Sequence, residues 1–271
     1  MAISFRGHGF FLCGTTGPVR CWMKERALAV LEKKVESKKG EKVSVTCIEC
    51  EVYKCRYPEI KKSPPQDCPR KNYPRALKQT LEKSRKDASI RKINMACEEV
   101  LKRGHDAFGY NWTRVRELIE YARVLGYKRI GIAGCIGLIE ESKILGRILK
   151  EAGFKVVLVS CMAGGAARSK FGLKERSGAS SSVACNPLMQ AAVLNGEKTE
   201  LNVMVGLCLG HDILFMKNSK ADVTPLIVKD RVTGHNPAAA LYTSQTYYKL
   251  KLWNPLSQQT SVPPKRKKNS G

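Results

Sequence analysis

The sequence predicts an α/β fold: a small, mainly parallel, Rossmann-like sheet flanked by helices, preceded by a cysteine-rich loop and a helical segment. Three observations predict it. Short apolar runs alternate with helix-spaced segments from residue 128 to residue 245, the pattern of βαβ units. Four cysteines, Cys47, Cys50, Cys55 and Cys68, fall within 22 residues in the pattern C-x2-C-x4-C-x12-C. Leucines and alanines at helical intervals run from Arg75 to Arg103, between that loop and the alternating region.

The elements follow in order. Residues 1–44 form an extension: 1–22 have no periodic pattern, and Met23, an alternative translation start, opens a helix-spaced stretch that ends in Ser37-Lys-Lys-Gly40. The tetracysteine loop spans residues 45–72. The helical segment, 73–127, holds two helices up to Arg103 with Gly104 as a stop. A third amphipathic helix carries Val115, Leu118, Ile119 and Ala122 and closes near Gly126. In the α/β domain, 128–245, Arg129–Ala133 is a strand, 137–153 a helix and Lys155–Ser160 a second strand. Residues 163–184, rich in Gly, Ala and Ser, are a loop, and Pro187 sits in the first turn of the next helix. Asn202–Leu207 is a third strand, His211–Ser219 a helix and Thr224–Val228 a fourth strand. Pro225 puts that last strand at a sheet edge, or itself at the strand's beginning. Asn236–Leu241 is a final helical turn, and 246–271 is a basic disordered tail ending in Pro263-Pro-Lys-Arg-Lys-Lys268.

Composition narrows the function. The net charge is +24, with Lys and Arg concentrated in the first half and the tail, so the surface favours anionic partners. No apolar run is long enough for a membrane-spanning helix. The cysteine count, 11, is odd, and no convincing signal peptide precedes the domain. Together these point to a cytoplasmic, reduced protein rather than a secreted disulfide scaffold.

Two constellations carry chemistry. The segment between Cys47 and Cys68 is polar and proline-punctuated, with no apolar run to hold it together. Four thiolates at this spacing suit a tetrahedral metal, either zinc or an iron–sulfur cluster, and thiolates choose between neither. The second set lies in the α/β domain. Cys135 and Cys161 follow the first two strands and Cys208 ends the third, positions that share the carboxyl edge of a parallel sheet, where open α/β folds bind ligands. Cys185 precedes a helix start, where the helix field favours a thiolate. His211 follows Cys208 by three residues, and His235 follows the fourth strand. Gly131-Ile-Ala-Gly-Cys-Ile-Gly137 has glycines between a strand and a helix, but not at dinucleotide-fingerprint spacing, and is foremost a tight turn. Cys97 falls in a helical pattern and is read as core; Cys13, Cys21 and His8 lie in the extension without an assignable role, and His105 is a surface or helix-end histidine.

The run Ala184-Cys-Asn-Pro-Leu-Met-Gln-Ala-Ala-Val-Leu-Asn195, with Thr199–Asp212 and Val223–Tyr242, resembles the domain of unknown function 1847 family. These are uncharacterised predicted metal-binding proteins of bacteria and archaea with an amino-terminal cysteine cluster. The resemblance covers roughly residues 45–245. It implies metal binding by Cys47, Cys50, Cys55 and Cys68 and brings no established reaction.

Three functions are therefore expected, in order. The first is a metal-binding protein with a second ligand or redox site lined by Cys135, Cys161, Cys185, Cys208, His211 and His235, facing an unknown small ligand or redox partner. The second is a thiol-dependent redox or group-transfer enzyme using Cys208 or Cys185 as nucleophile with His211 as base; Asp212 and Asp230 are its candidate orienting carboxylates. The third is a basic nucleic-acid-binding module, which rests on charge alone.

Overall fold

The computed structural model describes residues 45–174 and 183–253. The described residues divide into two compact units, one ending at Lys83 and one beginning at Ser84. The first 44 residues, with Met23, Cys13, Cys21 and His8, and the Lys-Arg-Lys-Lys run at 265–268 lie outside the described residues.

In the first unit, residues 45–68 turn repeatedly without forming a helix or strand. The Thr46 N–H donates to Asp67 O at 3.2 Å and closes the base of the segment. Helix α1 (Pro69–Asn72) starts on proline, which costs nothing at a first helical position because that N–H has no partner anyway. Helix α2 (Pro74–Lys86) follows and buries none of its side chains.

Asp87 separates α2 from α3 (Ala88–Gly104): its carboxylate accepts from the Ser89 and Ile90 N–H groups and caps the new helix. A hairpin of two-residue strands, β1 (His105–Asp106) and β2 (Gly109–Tyr110), comes next. Its strands are too short for any period to announce them in the sequence. Helix α4 (Arg114–Leu125) is capped by Thr113 and stopped by Gly126 at φ 73°.

The sheet is built from β3 (Arg129–Gly134), β4 (Lys155–Ser160), β5 (Leu201–Val205) and β6 (Asp222–Ile227). All three pairings are parallel and the strand order is β4-β3-β5-β6. The connections carry α5 (Ile139–Glu151), α6 (Pro187–Gly196) and α7 (Leu209–Asn218). Ile130 lies between Val156 and Leu201, and Ile132 between Leu158 and Val203. Side chains of both parities are buried along β3 and β5, as a sheet packed between layers requires, so these strands read as unbroken apolar runs. Ile130, Ile132, Leu149, Leu194, Val203 and Phe215 form the centre of the core.

The chain departs from the sequence reading at several ends. The helix expected from residue 137 begins with a 3-10 turn, Ile136–Leu138, because Cys135 Sγ takes the Gly137 N–H as a cap. β5 ends at Val205 instead of continuing to Leu207, since Gly206 turns away at φ 60° and its position leaves no room for a Cβ beside Leu138. β6 is an edge strand, as its proline requires, and its register shifts between Met204 and Val205, next to Pro225. The loop after β4 contains a 3-10 turn, Arg168–Phe171, and a bridge between Ala167 and Val183. Short helices α8 (Ala238–Tyr242) and α9 (Lys249–Trp253) end the described chain, the second lying within the segment expected as tail.

Candidate thiol site at the carboxyl edge of the sheet

β3 and β4 end side by side, and each is followed by a cysteine. The Cys161 N–H donates to Gly134 O at 2.8 Å, continuing the ladder one step past the strands. The Cys135 N–H turns the other way and donates to Val205 O at 3.0 Å, tying the end of β3 to the end of β5. In a regular parallel ladder the next rung would join the Ile136 N–H to Cys161 O. Here that N–H is directed to Cys161 Sγ at 3.3 Å, and Cys161 O accepts instead from the Asn186 N–H at 2.7 Å. Sulfur thus takes a main-chain donor, and the freed carbonyl anchors the start of α6.

This arrangement gathers three thiols. Cys161, with 1% of its surface exposed, lies at the centre, and Cys185 Sγ is 3.5 Å from its sulfur. Cys135 is also buried, one residue past the end of β3 as Cys161 is one residue past the end of β4. Two donors point at Cys135 Sγ: the Gly137 N–H at 3.4 Å and Lys229 Nζ, which arrives from the segment after β6. The neighbouring Cys161 thiol, with Lys229 and Gly137 adding to it, holds the Cys135 thiol well below the ordinary thiol range against the opposing effect of burial. Cys161 moves the other way, raised by its interaction with Cys135 and by burial, and its sulfur donates to Cys185 Sγ. The surroundings thus favour the thiolate form at Cys135 and the thiol form at Cys161.

The other expected residues hold different places. Cys208 occupies the N-cap position of α7 without a side-chain cap bond, and Arg231 approaches its sulfur at 3.8 Å. His211 is half-buried in the first turn of α7, its N–H bonded to Cys208 O at 2.7 Å. Asp212, beside it, has its carboxyl raised by burial, with Lys229 partly opposing the shift. His235 closes its own loop: at φ 66° its N–H donates to Asp230 O, while its Nδ1 accepts from the Asp230 N–H at 3.1 Å. That bond leaves the ring proton of neutral His235 on Nε2. Asp230 accepts from the Val232 and Thr233 N–H groups in the same loop.

Lys229 and the Gly137 N–H both meet the sulfur of Cys135, while Arg231 is the donor at the sulfur of Cys208. Lys229 could not be singled out beforehand, because Val228-Lys-Asp-Arg231 reads as an ordinary charged loop. Gln190 was equally silent, a polar residue in an apolar helix, yet it is fully buried between β3, β4 and the cysteines. Its placement on an otherwise apolar helix face is the signal that could have found it.

In the first unit Cys47 and Cys55 are exposed, Cys50 is partly covered and Cys68 is buried. The Cys50 N–H bonds to Cys47 O at 3.2 Å, so the C-x2-C pair sits on one turn, and the Thr46–Asp67 bond brings the chain before Cys47 alongside the chain before Cys68. The donor chemistry is that of a thiolate metal site. The described arrangement does not assemble it: among the described residues no group of three or more His, Cys, Asp or Glu side chains gathers in a way that could hold a metal ion. Cys97, expected in the core, is exposed on α3 and lines a cleft of about 490 Å³ with Val100, Leu118, Tyr121, Asp222 and Pro225, apart from the other cysteines. Among the described residues no helix is long and apolar enough to cross a membrane.

The second unit is thus a parallel α/β sheet with a thiol cluster at its carboxyl edge. Residues 68–226 match the family model described as protein of unknown function DUF1847, and the chain belongs to that family. Over 140 residues, 52% of this chain and 71% of the other, it is 49% identical to the uncharacterized protein MJ0455 of Methanocaldococcus jannaschii. No solved structure matches the chain.

Proposed function

We propose that the α/β unit is a thiol redox site, with Cys135 as the attacking thiolate and Cys161 as the resolving thiol, in a protein whose tetracysteine segment holds zinc or an iron–sulfur cluster separately. One observation carries the thiol reading: Lys229 Nζ and the Gly137 N–H both converge on the sulfur of Cys135. The natural substrate class is a disulfide. The Cys135 thiolate attacks one sulfur, an S–S bond forms to the enzyme, and the second substrate sulfur leaves as a thiolate. The Cys161 thiol passes its proton to that thiolate, and its own sulfur then attacks Cys135 Sγ and releases the remaining substrate sulfur. Two electrons have moved: the substrate disulfide is reduced and a Cys135–Cys161 disulfide is formed.

Lys229 and Arg231 favour a substrate with negative charge near its reactive sulfur. Cys185, beside Cys161, offers a second exchange partner nearer the surface. A site that works through free thiols suits a reducing compartment, and a cytoplasmic protein fits it. The four cysteines of the first unit have the donor type for the metal, and no step of the thiol exchange runs through it.

Iodoacetamide labelling of the full chain from about pH 4 to 9, with each cysteine resolved by mass spectrometry, tests the reading. Cys135 should label with an inflection well below the ordinary thiol value of about 8.5, and oxidised glutathione should leave a Cys135–Cys161 disulfide. An ordinary inflection at Cys135 sinks the proposal.

A further inference from the structure

The ends of β3 and β4 are joined by one side chain from a third element. Gln190, on the first turns of α6, is fully buried. Its Nε2 donates to Gly134 O at 3.1 Å and to Val159 O at 2.8 Å. The first carbonyl immediately precedes Cys135; the second lies two residues before Cys161. The amide can sit only one way round, since its nitrogen alone can face two acceptors. Its oxygen is therefore turned elsewhere and, among the described residues, is buried without a hydrogen-bond partner.

Packing does not account for a glutamine here. Gly134 O already accepts the Cys161 N–H at 2.8 Å, so it is no orphan in need of a donor. The unpaired oxygen is itself unfavourable, and an apolar side chain of the same length would avoid it. What the amide adds is position. The regular ladder stops at Cys161, and the Gln190 amide acts as a cross-tie just where the two chains begin to part. The same turn of α6 holds Cys161 O through the Asn186 N–H, and Cys185, just before the helix, reaches the Cys161 sulfur.

We propose that Gln190 is a positioning residue: by tying Gly134 O to Val159 O it holds the strand ends so that Cys135 and Cys161 are placed for thiol exchange. The proposal rests on the thiol reading above and deepens it. Gln190→Met keeps the length and removes the donors. In the full chain it should move the labelling inflection of Cys135 up by about one unit, a roughly tenfold loss of rate on the acidic side of the inflection. Gln190→Glu sets a carboxylate against two carbonyl oxygens when ionised and offers one O–H donor when protonated. Its rate relative to wild type should therefore recover as the pH falls, a dependence that a merely structural defect would not produce.

The outcomes separate cleanly. A low inflection in wild type, unchanged in a folded Gln190→Met chain, overturns the role of Gln190 and leaves the thiol reading standing. An ordinary inflection in wild type overturns both. Should the variants not fold, the wild-type protein still decides. Alkylation of Cys135 should displace the Gln190 side-chain amide resonances and leave those of Gln79 unmoved, and unmoved Gln190 resonances count against the tie.

Discussion

Cys135 Sγ is met by two donors, Lys229 Nζ and the Gly137 N–H, and the nearby Cys161 thiol acts in the same electrostatic sense. Each stabilises negative charge on sulfur, and burial magnifies them by excluding water. Lys229 supplies the full charge among them. Lys229→Met should raise the pH at which Cys135 labels, by about one unit, while Arg231→Met, which loses its contact with Cys208, should leave Cys135 largely unchanged. Site-resolved labelling rates of the two variants across pH check this, and equal shifts would count against a specific Lys229–Cys135 contact. At this scale the cysteines were legible and their partners were not. Cys135, Cys161 and Cys208 stand at strand ends that periodicity reveals. Lys229 lies 94 residues from Cys135 and carries no local mark of its partner.

At the scale of the element, chain breaks were the readable features. Asp87 divides the helical stretch because a carboxylate there satisfies two N–H groups of the following helix. Pro225 confines β6 to an edge for want of a donor. The beginning of β3 depends on a more distant group: Glu200, just before β5, accepts the Lys128 N–H at 2.6 Å and the Arg129 N–H at 2.8 Å. Those bonds, the Lys128 one first, hold its carboxyl below the usual range despite some desolvation. A carboxyl depressed in the folded state stabilises it fully above the unfolded value, about 4.3. The contribution disappears as the pH falls through the lower folded value. Glu200→Gln should therefore flatten the acid limb of the stability curve, read as Tm against pH between about pH 2 and 6. An acid limb as steep as wild type would show that the carboxylate does not link β3 to β5 in this way. The β1–β2 hairpin escaped the sequence because two-residue strands have no alternation to read.

The whole molecule joins two units with different chemistry. The α/β unit buries its core on both faces of a parallel sheet, whereas the described part of the first unit has short turns and two helices without buried side chains. A metal would compensate for that thin core, since ligand binding to the folded state adds directly to folding free energy. Anaerobically purified protein should contain about one zinc, or the iron and sulfide of one cluster, per chain. Cys47→Ser should abolish it and Cys135→Ser should not. Metal content unaffected by Cys47→Ser would remove the first unit from the metal site. The charge of +24 acts at this scale too, but it supports salt-sensitive attraction to anions in general rather than a specific partner.

By itself the sequence determined the alternation of strands and helices and the alignment of cysteines along one end of the sheet, and it narrowed Pro225 to a sheet edge or a strand's beginning. These follow from periodicity, from proline's missing donor and from the rule that parallel strands point the same way. Only the tertiary structure decided which sulfur bears the charge. That depends on a lysine after the last strand, a thiol after the second and a glutamine from the helix between sheet strands. Such contacts are set by the register of packed elements and leave no spacing in the chain.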